Sequence, residues 1–210
     1  MKQFLEYSNV QTVLDVGGNS GQFGELLRLL GYRADIVSFE PLSDAYKELS
    51  VRVTNDSRWS AHMIALGDRD GKEVIHVSEN SQSSSLLPML SSHLDSAPKS
   101  RVIREEVVEV RRLDSFAKSE LPSMNEAILL KIDAQGYEAK VLEGSKGILD
   151  SISAVQLELS LVPLYEGEVL FEDMLPRMKG SGFQLVSVES GFTCKESGKM
   201  LQIDALFSRR

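Results

Sequence analysis

Only one cysteine, Cys194, occurs in the 210 residues, so no disulfide can form within the chain. That usage fits a reducing compartment. Cys194 follows Gly191-Phe192-Thr193 with no histidine nearby, which reads as a hairpin tip rather than a nucleophile. Histidine is scarce as well. His62, His76 and His93 lie far apart without metal-ligand spacing, so no metal is assigned. His93 is the candidate among them for touching a substrate, against the plainer reading of a surface residue. No run approaches the ~20 apolar residues of a membrane helix, and the start of the sequence lacks the apolar stretch of a signal peptide. The expectation is a cytoplasmic protein without a membrane partner. Positive charge is also in deficit: the net charge is -8, which repels phosphate backbones unless a basic face is present. Arg101, Arg104, Arg111 and Arg112 come nearest to one, but Glu105, Glu106 and Glu109 interleave with them. That stretch reads as a solvated strand surface, and no nucleic-acid partner is expected. Nothing repeats at a fixed period.

What is present is a hydrophobic content of 42%, enough for one well-buried core and too little for two ordinary domains. A single domain over residues 1–210 follows. Thr12 to Val16 reads as a buried strand. A glycine-rich turn comes next, then a helix with Phe23, Leu26, Leu27 and Leu30 on one face, closed by Gly31. Ile36 to Phe39 is a second strand. Strand, helix and strand within about 30 residues make a βαβ unit and a parallel sheet. The alternation continues with a helix at 43–50, a strand at 61–66, extra strands at 72–77 and 107–112, and a buried strand at 128–132. A helix at 138–149, a strand at 155–160, a helix at 171–179 and closing strands at 184–188 and 202–207 complete it. Seven core strands are expected, mostly parallel, the final one antiparallel beside its neighbour: a doubly wound α/β fold. Residues 78–106 stand apart, rich in serine, with Pro88 and Pro98 and no clean periodicity. Loops of that length in a compact domain are more often lids or binding loops, so a mobile insert that contributes acceptor contacts is expected.

Four places carry chemistry. The first is Asp15-Val16-Gly17-Gly18-Asn19-Ser20-Gly21, where glycines let the backbone approach a ligand and free amides at a helix start face it. The nicotinamide fingerprint needs glycines at n, n+2 and n+5; from Gly17 or Gly18 it fails. The phosphate-cradling Gly-Lys-Ser/Thr fails too. An acid two residues before the first glycine suits a cofactor with an ammonium group, with Asp15 as its partner. The second is Glu40, at the carboxyl end of the second strand, where ligands bind in open α/β sheets. It can accept hydrogen bonds from both hydroxyls of a ribose. The third is Leu130-Lys131-Ile132-Asp133-Ala134-Gln135-Gly136-Tyr137-Glu138. Alternation puts Lys131 and Asp133 on one face, either at work or as a structural ion pair, while Glu138 stands in the first turn of a helix, where acids are favoured anyway. The fourth is Glu158, late in an otherwise apolar strand.

These motifs resemble the FkbM-type methyltransferases. The matching residues are Leu14 to Gly21, Phe39-Glu40-Pro41, Ala65-Leu66-Gly67, Arg112-Leu113-Asp114, Leu130 to Glu138, Leu142-Glu143-Gly144, and Glu158-Leu159-Ser160 with Leu164-Tyr165. Gly18 departs from the alanine usual there. The resemblance implies the class I methyltransferase fold, Rossmann-like, with S-adenosylmethionine as methyl donor; in-line transfer from a sulfonium leaves a neutral thioether and needs no metal. It implies that Asp15, Gly17, Gly18, Asn19, Ser20, Gly21, Glu40, Pro41, Ala65 and Leu66 bind that cofactor. O-methylation of a hydroxyl on a sugar, glycan or secondary metabolite follows, the acceptor itself not being specified. Asp133 is expected as the base, with Lys131, Glu158 and Glu138 in the catalytic set. A non-catalytic S-adenosylmethionine-binding domain and a nicotinamide-dependent oxidoreductase are the alternatives. The intact Lys131, Asp133 and Glu138 argue against the first and the glycine spacing against the second.

Overall fold

The computed structural model describes residues 1–121 and 127–209. Ten strands and seven helices alternate along them. In chain order they are α1 (Lys2–Tyr7), β1 (Thr12–Val16), α2 (Gln22–Leu29), β2 (Asp35–Phe39), α3 (Ser43–Val53), β3 (Trp59–His62), β4 (Ala65–Leu66) and β5 (Gly71–Ser78). Then come α4 (Ser91–Ser96), β6 (Val102–Arg111), α5 (Leu113–Glu120), β7 (Ile128–Ile132), α6 (Glu138–Gly144), β8 (Ile152–Ser160), α7 (Phe171–Gly180), β9 (Gln184–Ser190) and β10 (Gln202–Ser208). The main sheet has seven strands in the order β3-β2-β1-β7-β8-β10-β9. Only β10 runs antiparallel, inserted between β8 and β9. A second sheet, β4-β6-β5, stands beside it.

Strand alternation divides the core in two. Leu14, Leu130, Val155, Leu157 and Phe207 face the larger core, which includes Phe116, Val141 and Met174 from α5, α6 and α7. Val13, Leu129, Ala154 and Leu206 face the opposite side, under Leu5, Leu27 and Leu49 from α1, α2 and α3. Helices on both faces make β1 and β7 apolar almost throughout, as a doubly covered parallel sheet requires. On the α1–α3 side the apolar pattern stops near the carboxyl ends of the strands. Asp15 pairs in register with Lys131 and Lys131 with Gln156. Glu158 is level with Asp204, and Asp204 with Glu189. One polar strip therefore crosses five strands.

Several expected boundaries shift. The strand expected at 61–66 is two pieces in different sheets, β3 and β4. The helix expected to reach residue 149 stops at Gly144, a position where the chain packs backbone to backbone. A Cβ on Gly144 would lie 1.8 Å from the carbonyl oxygen of Gly67. α1 and α5 were not anticipated. None of the described helices is long and apolar enough to cross a membrane, and no metal-binding cluster occurs among the described residues.

The serine-rich stretch is a packed segment. It holds α4, a short 3-10 turn at Pro98–Ser100 and the start of β6. Its hydroxyls carry the order that its apolar pattern could not predict. Ser83 and Ser100 bond each other at 3.0 Å and both meet the Asn80 amide. Ser92 donates to the Pro163 carbonyl, and the Tyr165 hydroxyl reaches the Ser83 carbonyl at 3.0 Å. His93 is buried between the Tyr165 and Phe192 rings, and burial pulls its pKa down to about 4. It is neither a surface residue nor part of the main cavity. Cys194 lies in the connection between β9 and β10, as a hairpin residue should.

Candidate active site

A cavity of about 470 Å³ opens at the carboxyl ends of β1, β2, β7 and β8. That size suits a small organic ligand. One end is lined by Gly17, Gly18, Asn19, Glu40, Pro41 and Leu42, with Ala65 and Leu66 from β4. The other end is lined by Lys131, Asp133, Gln135, Gln156, Glu158, Asp204 and Glu189, with Phe23 and Leu26 from α2 at its side. Leu26, on the same helix face as the fully buried Leu27, is 47% exposed at the cavity.

The glycine loop is built by close approach. Gly17 has φ +74, and a Cβ there would lie 1.8 Å from the Asp133 carbonyl oxygen. Only glycine lets β1 turn this tightly against the end of β7. Gly17 and Gly18 both donate to the Phe39 carbonyl at 3.0 Å. The Asn19 backbone amide then donates to Glu40 Oε2 at 2.8 Å, and the Leu42 amide to Oε1 at 2.8 Å. Glu40 is buried, and burial raises its carboxyl to about 7 although both amides oppose that shift. The insert reaches this end: Asn19 Nδ2 lies 3.3 Å from Ser81 Oγ, and Ser81, Gln82, Ser84, Ser85 and Leu86 line the cavity.

Asp15 has different partners from those expected. It is fully buried and lies outside the cavity lining. Its Oδ2 accepts from Ser38 Oγ at 2.8 Å, Ser38 Oγ accepts from Trp59 Nε1 at 3.0 Å, and its Oδ1 is 3.1 Å from Lys131 Nζ. The neighbouring strand, rather than a ligand ammonium, therefore neutralises it. Lys131 is buried as well, 3.6 Å from Asp133 Oδ2. Burial works against its charge, but Asp15 and Asp133 outweigh burial and hold it above the ordinary lysine range. Ser20 and Gly21 also lie outside the lining. Gly21, the residue just before α2, faces Leu49 and Arg52 of α3 and Trp59 of β3.

Glu138 is likewise displaced from the role expected of it. Its Oε1 accepts the Ala134 amide at 2.9 Å and the Gly136 amide at 3.1 Å. It is buried outside the cavity, and burial raises its carboxyl to about 8. Its place is a clasp on the turn between β7 and α6. Asp133 and Glu158 do line the cavity, and Gln135 joins them. Gln135 Nε2 donates to Asp133 Oδ1 at 2.9 Å and to Glu158 Oε2. Gln202 Nε2 donates to the same Glu158 oxygen at 3.1 Å. Burial first, then the charges of Asp133, Glu138 and Asp204, push Glu158 well above the usual carboxylate range. Sequence reasoning missed Gln135, Gln156, Gln202, Glu189 and Asp204. For Gln135 the signal was available, since it stands inside the Lys131–Glu138 block. The others become neighbours only through strand register.

Three of the matched motifs serve architecture. Arg112 pairs with Asp114 at 2.5 Å and donates to the Asp68 carbonyl. Asp114 accepts the Gly147 amide, and Gly144 abuts Gly67. Together they lock β4, α5 and α6 at one junction and so fix the Ala65–Leu66 wall of the cavity.

The methyltransferase FkbM domain model matches residues 15–185. The 2-O-methyltransferase NoeI of Sinorhizobium fredii is 28% identical over 185 residues, which are 83% of this chain and 73% of that protein. Methyltransferase 1 of Beauveria bassiana is 28% identical over 143 residues, 63% of this chain and 57% of that protein. Among solved structures, magnesium protoporphyrin IX methyltransferase of Synechocystis, with bound S-adenosylmethionine, superposes with a TM-score of 0.52 at 8% identity. That match covers all of this chain and 76% of the other. The last match speaks for the fold alone.

Proposed function

This chain belongs to the FkbM family of methyltransferases, and from that premise we propose that it methylates a hydroxyl group of a sugar or another small polyhydroxylated acceptor. S-adenosylmethionine is the donor, and it supplies a methyl group on a positively charged sulfur. The residues present fit that cofactor. The bare Gly17–Gly18 backbone leaves room for close approach. Glu40 lines the same end of the cavity, buried enough to be held at about 7, a carboxyl that two ribose hydroxyls would satisfy. Gly17, Gly18, Asn19, Glu40, Pro41, Ala65 and Leu66 would hold it. Asp15, Ser20 and Gly21 would act behind them by shaping the loop.

The observation that carries the catalytic reading is the meeting of Asp133, Glu158 and Lys131 in one cavity with Glu40. Transfer to a hydroxyl requires removal of a proton as the new bond forms. A carboxylate within ~3 Å of the hydroxyl can take it. Asp133 is the proposed base, since its side chain remains 34% exposed beside the buried Lys131 cation. Lys131 lies close enough to steady negative charge that develops near Asp133. Glu158 is the second acid at the acceptor end. The carboxylates of Asp133, Glu158, Asp204 and Glu189 there support a small neutral or cationic acceptor over a phosphate backbone. The whole chain is proposed as one methyltransferase domain, with residues 78–106 covering the cofactor end. A cytoplasmic address is proposed from the single cysteine.

The test is mass spectrometry of products after incubation with S-adenosylmethionine and panels of sugars, glycans and RNA. A gain of one CH2 on a sugar hydroxyl supports the proposal. A methylated RNA, or S-adenosylhomocysteine binding without any transfer across the panels, would overturn it.

A further inference from the structure

Gln135 is a residue the chemistry above does not use, yet it occupies an unusual place. Its φ is +52, in the left-handed region where glycine is the easy choice. A side chain kept there at some strain has work that glycine could not do. It is buried at the meeting of three segments. The Ser85 hydroxyl from the insert donates to its backbone carbonyl at 2.6 Å. The Tyr165 hydroxyl lies 2.7 Å from its Oε1. Its Nε2 faces Asp133 Oδ1 and Glu158 Oε2. This fixes which way the amide points, because a reversed amide would aim a carbonyl oxygen at two carboxyl groups.

We infer that Gln135 is a positioning residue, whose amide tethers Asp133 and Glu158 as a pair with one oxygen of each committed and the other left for the reaction. The inference rests on the proposed methyl transfer, since it assigns those two acids to the acceptor end. The two N–H groups of one amide serve two acids at once. The acids are therefore held apart by a neutral donor and need not share a proton between them. Asp133 keeps Oδ2, the oxygen facing Lys131. Glu158 keeps Oε1, since Oε2 also receives Gln202. The charged and titratable groups facing this pair are Lys131 and Glu138 from the β7 and α6 segments, Asp204 from β10, and Tyr165 beyond β8, with Glu189 of β9 behind Asp204. Losing the tether removes a donor from the ionised form of Glu158, so its titration should move upward.

The experiment follows the Glu158 carboxyl by carbon NMR through a pH titration of the full-length protein, with Glu158→Gln assigning the signal. Gln135→Met, similar in volume but without donors, should raise the Glu158 midpoint by about one pH unit or more. Tyr165→Phe, which loosens the amide from its other side, should move it less and in the same direction. The affinity for S-adenosylhomocysteine should change by under about tenfold in both. If the midpoint stays put in both variants while the melting temperature falls, Gln135 merely braces the turn and the inference is overturned. Should Gln135→Met fail to fold, Tyr165→Phe decides alone by the same criterion. The titration needs no ligand. Failure to bind S-adenosylhomocysteine would therefore sink the proposed function and leave the tether to be judged on the midpoint.

Discussion

The two ends of the cavity are built from different materials. At the β1–β2 end, Glu40 is held by main-chain amides of Asn19 and Leu42, and the loop hangs on the Phe39 carbonyl. At the β7–β8–β10 end, side chains hold side chains: Lys131 on Asp15 and Asp133, Gln135 on Asp133 and Glu158, Gln202 on Glu158. Main-chain partners survive substitution of their neighbours, so damage at the first end should stay local. Side-chain networks are non-additive, and losing one member leaves others buried without a partner. Single changes at the second end should therefore spread further and cost more.

The largest expected effect is at Lys131. Lys131→Met removes the cation that faces the fully buried Asp15. Breaking one side of a buried pair typically costs about 3–5 kcal/mol, a large part of a domain's stability. Chemical denaturation should show that loss. If stability falls by less than about 1 kcal/mol, the second end is not the coupled network described. Asp133→Asn comes next. With an acceptor identified by the product screen, kcat should fall by ~10²–10⁴, while cofactor affinity changes by less than about tenfold. Equal loss of binding and turnover would move Asp133 to the cofactor side, with Glu158 as the base.

The contrast between the ends also explains what could be read from the sequence. The first end was legible because its parts are contiguous: a strand, a glycine turn, and an acid closing the next strand. Lys131 and Asp133 were legible for the same reason, by alternation within one strand. Asp15 was visible as an acid but given the wrong partner, because its neutralising Lys131 lies 116 positions away and meets it only through the β1–β7 register. Asp204 and Gln156 escaped notice since each looks like an ordinary polar strand residue until β10 is inserted beside β8. The serine-rich stretch misled in the other direction. Helix and strand patterns report apolar faces, and this segment is ordered by hydroxyl and amide bonds that have no period. The overall doubly wound sheet needed none of that detail, as its buried strands and alternating helices fix the layer order.

Glu138 tests whether a buried acid can be structural within the catalytic motif. Its folded pKa of about 8 lies above the usual 4.5. A raised carboxyl stabilises the fold fully below the unfolded value and loses that contribution as pH rises through the folded one. Wild type should therefore weaken, relative to Glu138→Gln, between about pH 4.5 and 8. The difference is on the order of a few kcal/mol. The glutamine still offers an oxygen to the Ala134 and Gly136 amides, so turnover should persist. Melting curves of both proteins across that range check the slope. Parallel curves, or a glutamine variant that folds but cannot turn over, would return Glu138 to the chemistry.

The smallest effect belongs to the first end, where main-chain construction limits the damage. Glu40→Ala should leave the fold intact, because the Asn19 and Leu42 amides it frees sit beside a cavity open to solvent. It should weaken S-adenosylhomocysteine binding by roughly 1.5–3 kcal/mol, the scale of hydrogen bonds to a charged group. The pH dependence gives the sharper test. Burial holds the free carboxyl at about 7, so below that pH the group carries a proton. Ribose hydroxyls donate best to the ionised form. Binding should thus strengthen as pH rises from 6 to about 7.5 in wild type, and stay flat over that interval in Glu40→Ala. Calorimetry at several pH values separates the cases. Identical slopes in the two proteins would mean that another group, and not Glu40, meets the ribose.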